Sequence, residues 1–402
     1  MPGVNHLCVV GGGLVGLATA LRISQAGLAR EITVLEKESG VGRHQSGRNS
    51  GVLHCGLYYR PGSLKAKLAV EGISSMTAFC QEHGVPHEIC GKIVVATNAR
   101  EIAGLRQLLE RGTANGLVGL RWLSPPEIKE IEPFAGGVAG LHVPQEGIVD
   151  YRQVTQAMAD EIQARGHTIR TCCELTGLRH TEAELVLETT TGSHNTDFLI
   201  NCAGLQCDRV FKLTGRRPSC RIVPFRGEYF TLTTHGSRLV RNLIYPVPDP
   251  AMPFLGVHFT RMIGGRIEAG PNAVLAFKRE GYRKWDFSLR DMADTFTWPG
   301  FYRFISRYPA ATAKEFFNST SRTVFISNLR RLVPELQSSD VQFEGGAGVR
   351  AQAIERDGSL VMDFRFERGP RQLHVLNAPS PGATASLAIG KHIASEVLRE
   401  VA

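Results

Sequence analysis

Three hydrophobic stretches near the N-terminus follow one another with the spacing of a strand–helix–strand unit. Leu7–Val10 is a short apolar run typical of a buried parallel strand, and Leu14–Ala26 has the pattern expected of the helix that follows it. A second apolar strand, Ile32–Leu35, comes next and is followed directly by the acidic Glu36. The pattern therefore predicts the start of a parallel sheet whose first crossover is a helix.

Similar patterning returns later in the chain. It predicts an amphipathic helix over Tyr151–Ala164, a strand over His167–Thr171, a hairpin-like stretch over Leu175–Thr190, a strand ending in a small-residue turn over Phe198–Gly204, a strand over Leu373–Asn377 and an apolar helix over Ala383–Leu398. Ser380 is the predicted N-cap of the last helix, with Pro381 at its first position. Segments Ile89–Leu141 and Arg221–Val333 lie between these elements and are predicted to form a second unit.

Gly11, Gly13 and Gly16 lie between the first strand and helix in the order G-x-G-x-x-G. The first permits a tight turn, the second lets the backbone approach a pyrophosphate, and the third lets the helix pack closely on the strand. The helix N-terminus adds free N–H groups for the phosphates. Glu36 lies 20 residues beyond Gly16, where a carboxylate accepts hydrogen bonds from an adenosine ribose. The sequence predicts a dinucleotide site, with NAD and FAD both open.

The residues after Glu36 distinguish between these dinucleotides. A two-domain NAD dehydrogenase usually continues its strand–helix alternation here, whereas Ser39–Gly51 is polar, rich in glycine and without a clear period. Such a stretch suits backbone wrapped around a large ligand better than it suits a core element. It overlaps His44–Tyr59, which reads HQSGRNSGVLHCGLYY. This region favours a flavin dinucleotide.

The segment HQSGRNSGVLHCGLYYRPGSLKAKL resembles the signature of the L-2-hydroxyglutarate dehydrogenase/oxidase family, a branch of the D-amino-acid-oxidase-like flavoproteins. Four later stretches are similar to the same family: FRGEYF at Phe225–Phe230, YPVPDP at Tyr245–Pro250, GVHFTR at Gly256–Arg261 and GPNAVLAFKREGY at Gly270–Tyr282. The resemblance extends over nearly the whole chain. It implies an FAD-dependent oxidoreductase that converts L-2-hydroxyglutarate to 2-oxoglutarate.

The length of 402 residues exceeds one ordinary core and predicts two domains. The resemblance implies an α/β fold (α+β, two-domain) in which a Rossmann-like FAD-binding domain carries an inserted mixed-sheet substrate domain. Residues 1–88, 142–220 and 334–402 are assigned to the FAD-binding domain. Residues 89–141 and 221–333 are assigned to the substrate-binding domain, which we expect to cover the isoalloxazine ring.

The resemblance also implies a set of FAD contacts along the chain. They are Gly11, Gly13, Gly16, Glu36, Lys37, His44, Ser46, Asn49, Ser50, Gly51, Leu175, Ala203, Gly204, Gly348, Val349, Gly382, Ala383 and Thr384. A helix N-terminus at Pro381–Thr384 is expected to stabilise the negative charge near flavin N1 and O2 through its dipole. Some relatives carry a covalently bound flavin on a histidine within the equivalent of Gly47–Gly51. This chain has Asn49 there, so we expect non-covalent FAD.

Oxidising an alcohol at carbon 2 requires hydride transfer to flavin N5 and removal of the hydroxyl proton. The proton acceptor is best supplied by a histidine, whose pKa lies near the working pH. His54 lies in the second flavin segment beside a glycine-rich stretch, and His258 lies in an apparent strand. We predict His54 as the base and His258 as a substrate hydrogen-bond donor or alternative base.

A 2-hydroxydicarboxylate needs cations for its two carboxylates, and arginine suits bidentate pairing. Arg350 is the predicted anchor, because related amine and glycine oxidases place a substrate-binding arginine after a similar A-G-h-R. Those relatives often have proline next, where this chain has Ala351. Arg261 and Lys278 are the candidates for the distal carboxylate. Two further predicted substrate contacts are Tyr245 and Thr260.

Composition narrows the class of protein. Apolar content of 43% and charged content of 21% are those of a globular protein, and no apolar run approaches the roughly 20 residues that cross a bilayer. The nine cysteines show no C-x-x-C pair and no metal-ligand spacing, so we expect reduced thiols and no metal. The N-terminus shows no targeting segment, which favours a bacterial cytoplasm.

The net charge of +8 fits an acidic substrate and also an anionic lipid surface. No basic run is interleaved with aromatic residues, so we expect no nucleic-acid partner. Quinone or oxygen is the expected electron acceptor, and peripheral contact with the cytoplasmic face of the inner membrane stays open. The alternatives are an amine or amino-acid oxidase of the glycine or sarcosine oxidase type on the same scaffold and, from a different class, a flavoprotein that acts on nucleic acid or in assembly.

Overall fold

The computed structural model describes residues 4–249, 255–307, 321–342 and 345–401. Pro250 of the YPVPDP stretch lies outside these ranges. The strands within them are β1 Val4–Val10, β2 Ala29–Leu35, β3 Val52–Leu53, β4 His87–Glu88, β5 Lys92–Ala96, β6 Arg121–Leu123, β7 Ala139–Val143, β8 Gly147–Val149, β9 Thr168–Arg170, β10 Leu175–His180, β11 Leu185–Thr189, β12 Gly192–Thr196, β13 Phe198–Asn201, β14 Cys220–Glu228, β15 Phe230–Leu232, β16 Leu243–Pro246, β17 His258–Arg261, β18 Ile267–Gly270, β19 Val274–Leu275, β20 Val341–Gln342, β21 Ala347–Glu355, β22 Arg365–Gly369 and β23 Gln372–Asn377.

The α-helices of the described ranges are α1 Leu14–Gln25, α2 Leu64–Glu82, α3 Ile102–Ala114, α4 Pro125–Ile131, α5 Tyr151–Ala164, α6 Cys207–Lys212, α7 Thr234–Ser237, α8 Leu289–Phe296, α9 Pro299–Arg307, α10 Arg322–Arg330 and α11 Ser386–Val401. The predicted first unit is confirmed: α1 connects β1 to β2, and these strands pair in parallel with Leu7 opposite Ile32. The amphipathic pattern over Tyr151–Ala164 corresponds to α5 residue for residue.

The strands of the first sheet come from widely separated parts of the chain. Its order is β22–β23–β13–β1–β2–β9, with parallel pairing throughout except at the edge strand β22. Helices α1 and α11 pack against each other so closely that a Cβ on Gly390 would lie 2.5 Å from the carbonyl oxygen of Ala18. This parallel sheet with its apolar helices is the Rossmann-like half of the predicted fold class.

A second, mixed sheet of eight strands has the order β20–β15–β18–β17–β16–β5–β7–β6. Six of its strands lie wholly within segments 89–141 and 221–333. Strand β7 extends two residues beyond the first segment, and β20 follows the second. Its named pairs are antiparallel except β16 with β5, which are parallel. This sheet has a separate apolar core centred on Ile93, Ile244 and Phe259. The division into two domains at the stated residues stays a prediction.

One local prediction is wrong. The last helix begins at Ser386, whereas Ser380–Ala385 forms a turn in which the Gly382 N–H donates to the carbonyl of Pro379 at 2.9 Å. Tertiary contacts hold this turn in place, because the hydroxyl of Thr384 accepts from the backbone N–H of His54 at 3.1 Å and lies 2.7 Å from the hydroxyl of Tyr151. These contacts override the local capping signal.

Candidate active site

A cavity of ≈ 1000 Å³ opens at the carboxyl ends of the parallel strands. Its walls include Val10 at the end of β1, Ala203 just beyond β13 and Asn377 at the end of β23. Doubly wound parallel sheets bind their ligands at this edge, because the loops that leave neighbouring strands diverge there. The cavity therefore lies where the glycine fingerprint predicts a dinucleotide.

The glycine turn leaves no room for larger residues. Gly11 has a φ of +109°, and a Cβ there would lie 2.5 Å from the carbonyl oxygen of Cys202. A Cβ on Gly16 would lie 1.9 Å from the carbonyl oxygen of Gly11, so the helix crosses the strand in close contact. Gly11 and Gly13 line the cavity, whereas Gly16 lies behind its wall, where the helix packs on the glycine turn. The cradle is thus shaped for a ligand that touches backbone.

Glu36 lies at the end of the second strand, as predicted, and lines the cavity. Its carboxylate accepts hydrogen bonds from the backbone N–H of Gly12 at 2.8 Å and of Glu38 at 2.9 Å. These bonds fix the acid beside the glycine turn. This is the position from which a carboxylate reaches the ribose of a bound dinucleotide.

The second predicted flavin segment folds against the start of α1. The hydroxyl of Ser46 accepts from the backbone N–H of Leu14 at 2.9 Å. The amide of Asn49 donates to the carbonyls of Gln45 and Ser46, and its oxygen accepts from the N–H of Gly51 at 2.9 Å. Asn49 therefore shapes the loop by hydrogen bonds to backbone.

Lys37 belongs to a polar cluster at the cavity, together with Glu38, His44 and Glu280. Its ammonium contacts the carboxylates of Glu38 and Glu280 and lies 3.0 Å from Nε2 of His44. Burial lowers the pKa of Lys37, but the hydrogen bonds and charges of the two carboxylates outweigh it and raise the pKa. Glu38, His44 and Glu280 are spaced closely enough to hold a metal ion, yet the lysine already supplies a positive charge there.

Most of the predicted FAD contacts line this one cavity. Those that do are Gly11, Gly13, Glu36, Lys37, His44, Ser46, Asn49, Ser50, Leu175, Ala203, Gly204, Gly348, Val349, Gly382, Ala383 and Thr384. Gly16 and Gly51 are not in its wall. The segment around Pro381 lines the cavity as a turn, so the predicted helix dipole at Pro381–Thr384 is not present in that form.

His54 follows β3 and faces the cavity with a mostly buried ring. Its Nδ1 lies 3.4 Å from Oε2 of Glu146. The same carboxylate oxygen lies 2.6 Å from Nζ of Lys92, and both of these side chains are fully buried. Burial raises the pKa of Glu146, but the charges of Lys92 and His54 outweigh it and lower the pKa to about 2. Glu146 is therefore ionised at neutral pH.

His258 opens β17, and its ring stacks on Tyr245 with 3.8 Å between the ring centroids. Its Nδ1 lies 2.8 Å from the carbonyl oxygen of Gly256, so this nitrogen carries the ring proton and Nε2 holds the lone pair. Burial, together with the smaller effect of the nearby charge of Arg350, outweighs the bond to Gly256 and lowers the pKa of His258 to about 3. A neutral ring with this tautomer presents Nε2 as an acceptor, which fits the predicted alternative base better than the predicted donor.

Tyr245 and Arg350 both line the cavity, as predicted for substrate contacts. Thr260 is buried on the same face of β17 as His258 and contacts Tyr245 behind the wall. Arg350 lies on β21, opposite Phe225 of β14. The structure therefore brings His54, His258, Tyr245 and Arg350 to one space.

Neither of the two residues predicted to bind a distal carboxylate lines the cavity. Arg261 is absent from the cavity wall and pairs with Glu88, with 2.5 Å between its Nη2 and Oε1. Lys278 is exposed and also absent from the wall. Strand alternation explains the position of Arg261, because it is one residue out of phase with His258 and Thr260 and therefore lies on the other face of the strand.

Several residues of the site were missed by the sequence analysis. Lys92 and Glu146 lie behind His54, and the rings of Tyr58, Tyr59 and Tyr229 line the cavity. Tyr58 and Tyr59 follow His54 within the segment already singled out, so that signal was available. A lysine at the start of the apolar strand KIVVA is a further signal, because buried lysines need a partner.

The family profile described as FAD dependent oxidoreductase matches residues 6–396. The chain therefore belongs to the FAD-dependent oxidoreductase family, in the branch of the L-2-hydroxyglutarate dehydrogenases. That branch is shown by the relatives of this name: the chain is 47% identical to one from Indibacter alkaliphilus over 98% of this chain and 99% of that one, and 45% identical to one from Escherichia coli K12 over 97% and 92%. The mitochondrial protein of Homo sapiens is 43% identical over 97% and 88%.

Solved structures show the same fold. An L-alpha-glycerophosphate oxidase from Mycoplasma pneumoniae with FAD bound superposes with a TM-score of 0.79 at 24% identity, covering 99% of this chain and 95% of that one. A glycine oxidase from Geobacillus kaustophilus gives 0.74 at 18% identity over 99% and 95%. The glycine cradle at Gly11 and the carboxylate of Glu36 fit the FAD that the family requires.

Proposed function

We propose that this protein oxidises L-2-hydroxyglutarate to 2-oxoglutarate with FAD as its cofactor. One observation carries the proposal: a single cavity joins the glycine cradle to His54, His258 and Arg350. The dehydrogenase names of relatives at 43–47% identity over nearly the full chain support the choice of substrate. The cavity thus combines a site for a dinucleotide with a proton acceptor and a cation for a carboxylate.

The cavity residues have distinct roles in the proposed reaction. Arg350 binds one carboxylate of the substrate, because its guanidinium can pair with both oxygens. His54 takes the hydroxyl proton, and Tyr245 with His258 forms the wall that orients carbon 2. When bound, FAD accepts the hydride and its two electrons from carbon 2. The neutral state of His258, whose pKa lies at about 3, makes it the weaker candidate for the base.

Anaerobic mixing tests the proposal directly. Adding L-2-hydroxyglutarate to the flavin-loaded protein without oxygen should bleach the flavin absorbance, because the substrate's electrons stay on the cofactor. Glycine and sarcosine serve as comparison substrates for the oxidase alternative. Bleaching by either of these and not by L-2-hydroxyglutarate would contradict the proposal. Salt-sensitive RNA binding without bleaching by any hydroxy acid would favour the nucleic-acid class instead.

We propose a quinone or oxygen as electron acceptor, with the protein held in the cytoplasm or at the cytoplasmic face of an inner membrane. None of the helices described is both long and apolar enough to cross a bilayer. Comparing turnover with dissolved oxygen and with a soluble quinone distinguishes the acceptors, since equal anaerobic and aerobic rates with quinone would leave oxygen no role.

A surface patch supports the membrane contact. Trp285, Phe287 and Leu289 project at alternate positions and are 89%, 67% and 76% exposed. Exposed Lys284 and Arg290 flank them in the sequence, with the half-buried Asp286 between the two aromatic residues, so the apolar side chains have a mainly cationic border. Tryptophan favours the membrane interface, and basic side chains favour anionic headgroups. We propose that this patch rests on an anionic lipid surface.

Vesicle sedimentation tests the patch. The holoenzyme should sediment with vesicles of phosphatidylcholine and phosphatidylglycerol and stay in solution with phosphatidylcholine alone. Trp285→Ser together with Phe287→Ser should abolish sedimentation. Val118→Ser removes another exposed apolar side chain and serves as the control that leaves it unchanged. Equal binding by wild type and the double variant would overturn this part.

A further inference from the structure

A lysine and a glutamate lie fully buried behind His54, and neither lines the cavity. Lys92 opens β5, and Glu146 lies in the turn before β8. Oε2 of Glu146 lies 2.6 Å from Nζ of Lys92 and 3.4 Å from Nδ1 of His54. Its other oxygen accepts from the thiol of Cys55 at 3.4 Å. The carboxylate is thus held from three sides.

Stability alone does not explain this pair. Removing two charges from water costs several kcal/mol for each ion, and well-packed apolar residues in place of a buried ion pair are often neutral or stabilising. Lys92 belongs to an otherwise apolar strand, and its ammonium lies over the rings of Tyr58 and Tyr245 at 4.5 and 4.8 Å from their centroids. Both rings belong to the cavity wall. The buried ion pair therefore lies directly behind residues of the cavity wall.

We propose that Glu146 and Lys92 are positioning residues for His54, an inference that rests on the proposed oxidation. A carboxylate can only accept, so its contact with Nδ1 places the ring proton on that nitrogen and leaves the lone pair on Nε2. When the substrate O–H bond breaks, its proton goes to Nε2, the C–H bond gives up its hydride to the cofactor, and the C=O bond forms. The carboxylate then stabilises the imidazolium without taking its proton.

Lys92 has the complementary task. Its charge lowers the proton affinity of Glu146, so the carboxylate stays ionised and does not compete with His54 for the proton. It also offsets the negative charge and so limits how strongly the imidazolium is stabilised. The other titratable groups whose charges interact with Glu146, Lys92 or His54 are Cys55, Tyr58, Tyr59, Tyr151, Tyr245 and His258. Burial raises the pKa of the thiol and of the phenols and lowers that of His258, so these groups stay uncharged near neutral pH. The charge of Arg350 acts on His258.

The pH dependence of anaerobic flavin reduction separates this role from a structural one. Glu146→Gln removes the negative charge, so the protonated base is less stable and the acidic limb of the profile moves to lower pH. Lys92→Met leaves the carboxylate uncompensated, so the limb moves to higher pH. We expect each shift to be about 1 unit. Reduction by Glu146→Gln should also be about 10²-fold slower or more, because the amide no longer fixes one tautomer.

Asp208→Asn is the matched control, because it breaks a second buried ion pair, with Arg279, away from His54. It should lower the melting temperature and leave the acidic limb in place. Lys92→Met with Glu146→Gln removes both charges and keeps the volumes similar. A purely structural pair predicts that this double variant recovers the wild-type rate. Our inference predicts that it stays as slow as Glu146→Gln.

A measurement independent of turnover completes the test. Spectra of the holoenzyme labelled with ¹⁵N-histidine report which ring nitrogen carries the proton, and a His54→Gln spectrum assigns the signals. We expect the Nδ1–H tautomer in the wild type and its loss in Glu146→Gln. An unmoved limb together with an unchanged tautomer in Glu146→Gln would overturn the inference. If the wild type itself is not bleached by L-2-hydroxyglutarate, the proposed function fails, whereas the tautomer still tests the positioning.

Discussion

The two histidines of the cavity differ in what their buried nitrogens contact. Nδ1 of His54 faces the carboxylate of Glu146, whereas Nδ1 of His258 faces the carbonyl of Gly256. A carboxylate stabilises an imidazolium with a full opposite charge, and a carbonyl does so only with a dipole. The first arrangement suits a residue that gains a proton, and the second suits one that stays neutral.

Replacing His54 by glutamine should therefore slow anaerobic flavin reduction by about 10²–10⁴-fold, since a general base contributes roughly that factor. Binding of FAD should persist, because the ring does not form the glycine cradle. Stopped-flow absorbance measures the rate. His83→Gln is the control, because His83 also contacts a glutamate, Glu161 at 3.2 Å, away from the cavity wall. A His54→Gln variant that reduces at the wild-type rate would exclude His54 as the base.

Arg350 and Arg261 offer a matched pair of arginines. Arg350→Ala should weaken substrate binding by about 1.5–3 kcal/mol, which is roughly 10- to 150-fold in KM, because a charged hydrogen bond to the carboxylate is lost. Arg261→Ala should leave KM nearly unchanged, because that side chain pairs with Glu88. Steady-state kinetics with L-2-hydroxyglutarate measure both. Similar KM values for the two variants would contradict the assignment of Arg350.

The sequence supplied part of the site at this scale. His54, His258, Tyr245 and Arg350 were predicted, and all four lie around the cavity. Their chemistry is local: a histidine or arginine beside glycines has a recognisable pattern. The carboxylate of Glu146 has no such pattern, because its contact with His54 depends on how the loop before β8 crosses behind β3. Only the folded chain shows that neighbour.

The glycine turn between β1 and α1 is a constraint at the scale of elements. Gly11→Ala should lower both the FAD content and the melting temperature, because its Cβ would collide with the carbonyl of Cys202. Gly27→Ala is the control: Gly27 also has a positive φ of +63°, but a Cβ there meets nothing within 4 Å. It should cost only about 1 kcal/mol. The ratio of flavin to protein absorbance and thermal melts measure both effects. Equal losses would show that backbone conformation, and not the close approach, matters.

Elements with a strong hydrophobic period were predicted best. The strand–helix–strand start and α5 were found where the pattern placed them, because their burial depends mainly on their own sequence. The start of α11 was not, although Ser380–Pro381 has the composition of a helix start. Contacts of Thr384 with His54 and Tyr151 decide that boundary. These partners lie more than 200 residues away, beyond the reach of a local signal.

At the scale of the whole molecule, the cofactor should be removable. Asn49 is bound to neighbouring backbone by both ends of its amide, so no covalent flavin bond is expected there. Acid precipitation should release all of the yellow colour into the supernatant. Colour retained in the pellet would contradict non-covalent binding.

Acid stability depends on the buried pair. The folded-state pKa of Glu146, about 2, lies below its usual value of 4.5, so the carboxylate stabilises the fold above about pH 4.5 and this contribution is lost as the pH falls toward 2. Melting temperatures should therefore fall more steeply over this range in the wild type than in Lys92→Met with Glu146→Gln. Parallel curves would show that the pair contributes nothing to acid sensitivity.

The order of strands in the parallel sheet has a consequence for how the protein is made. Strand β13 lies between β1 and β23, and the cavity wall runs from Val10 to Thr384. A ribosome releases β23 and its following turn long after β1 and β13. The growing chain therefore cannot enclose FAD before that turn has left the ribosome. Enclosure of the cofactor therefore comes after the first and last strands of the sheet have paired with β13.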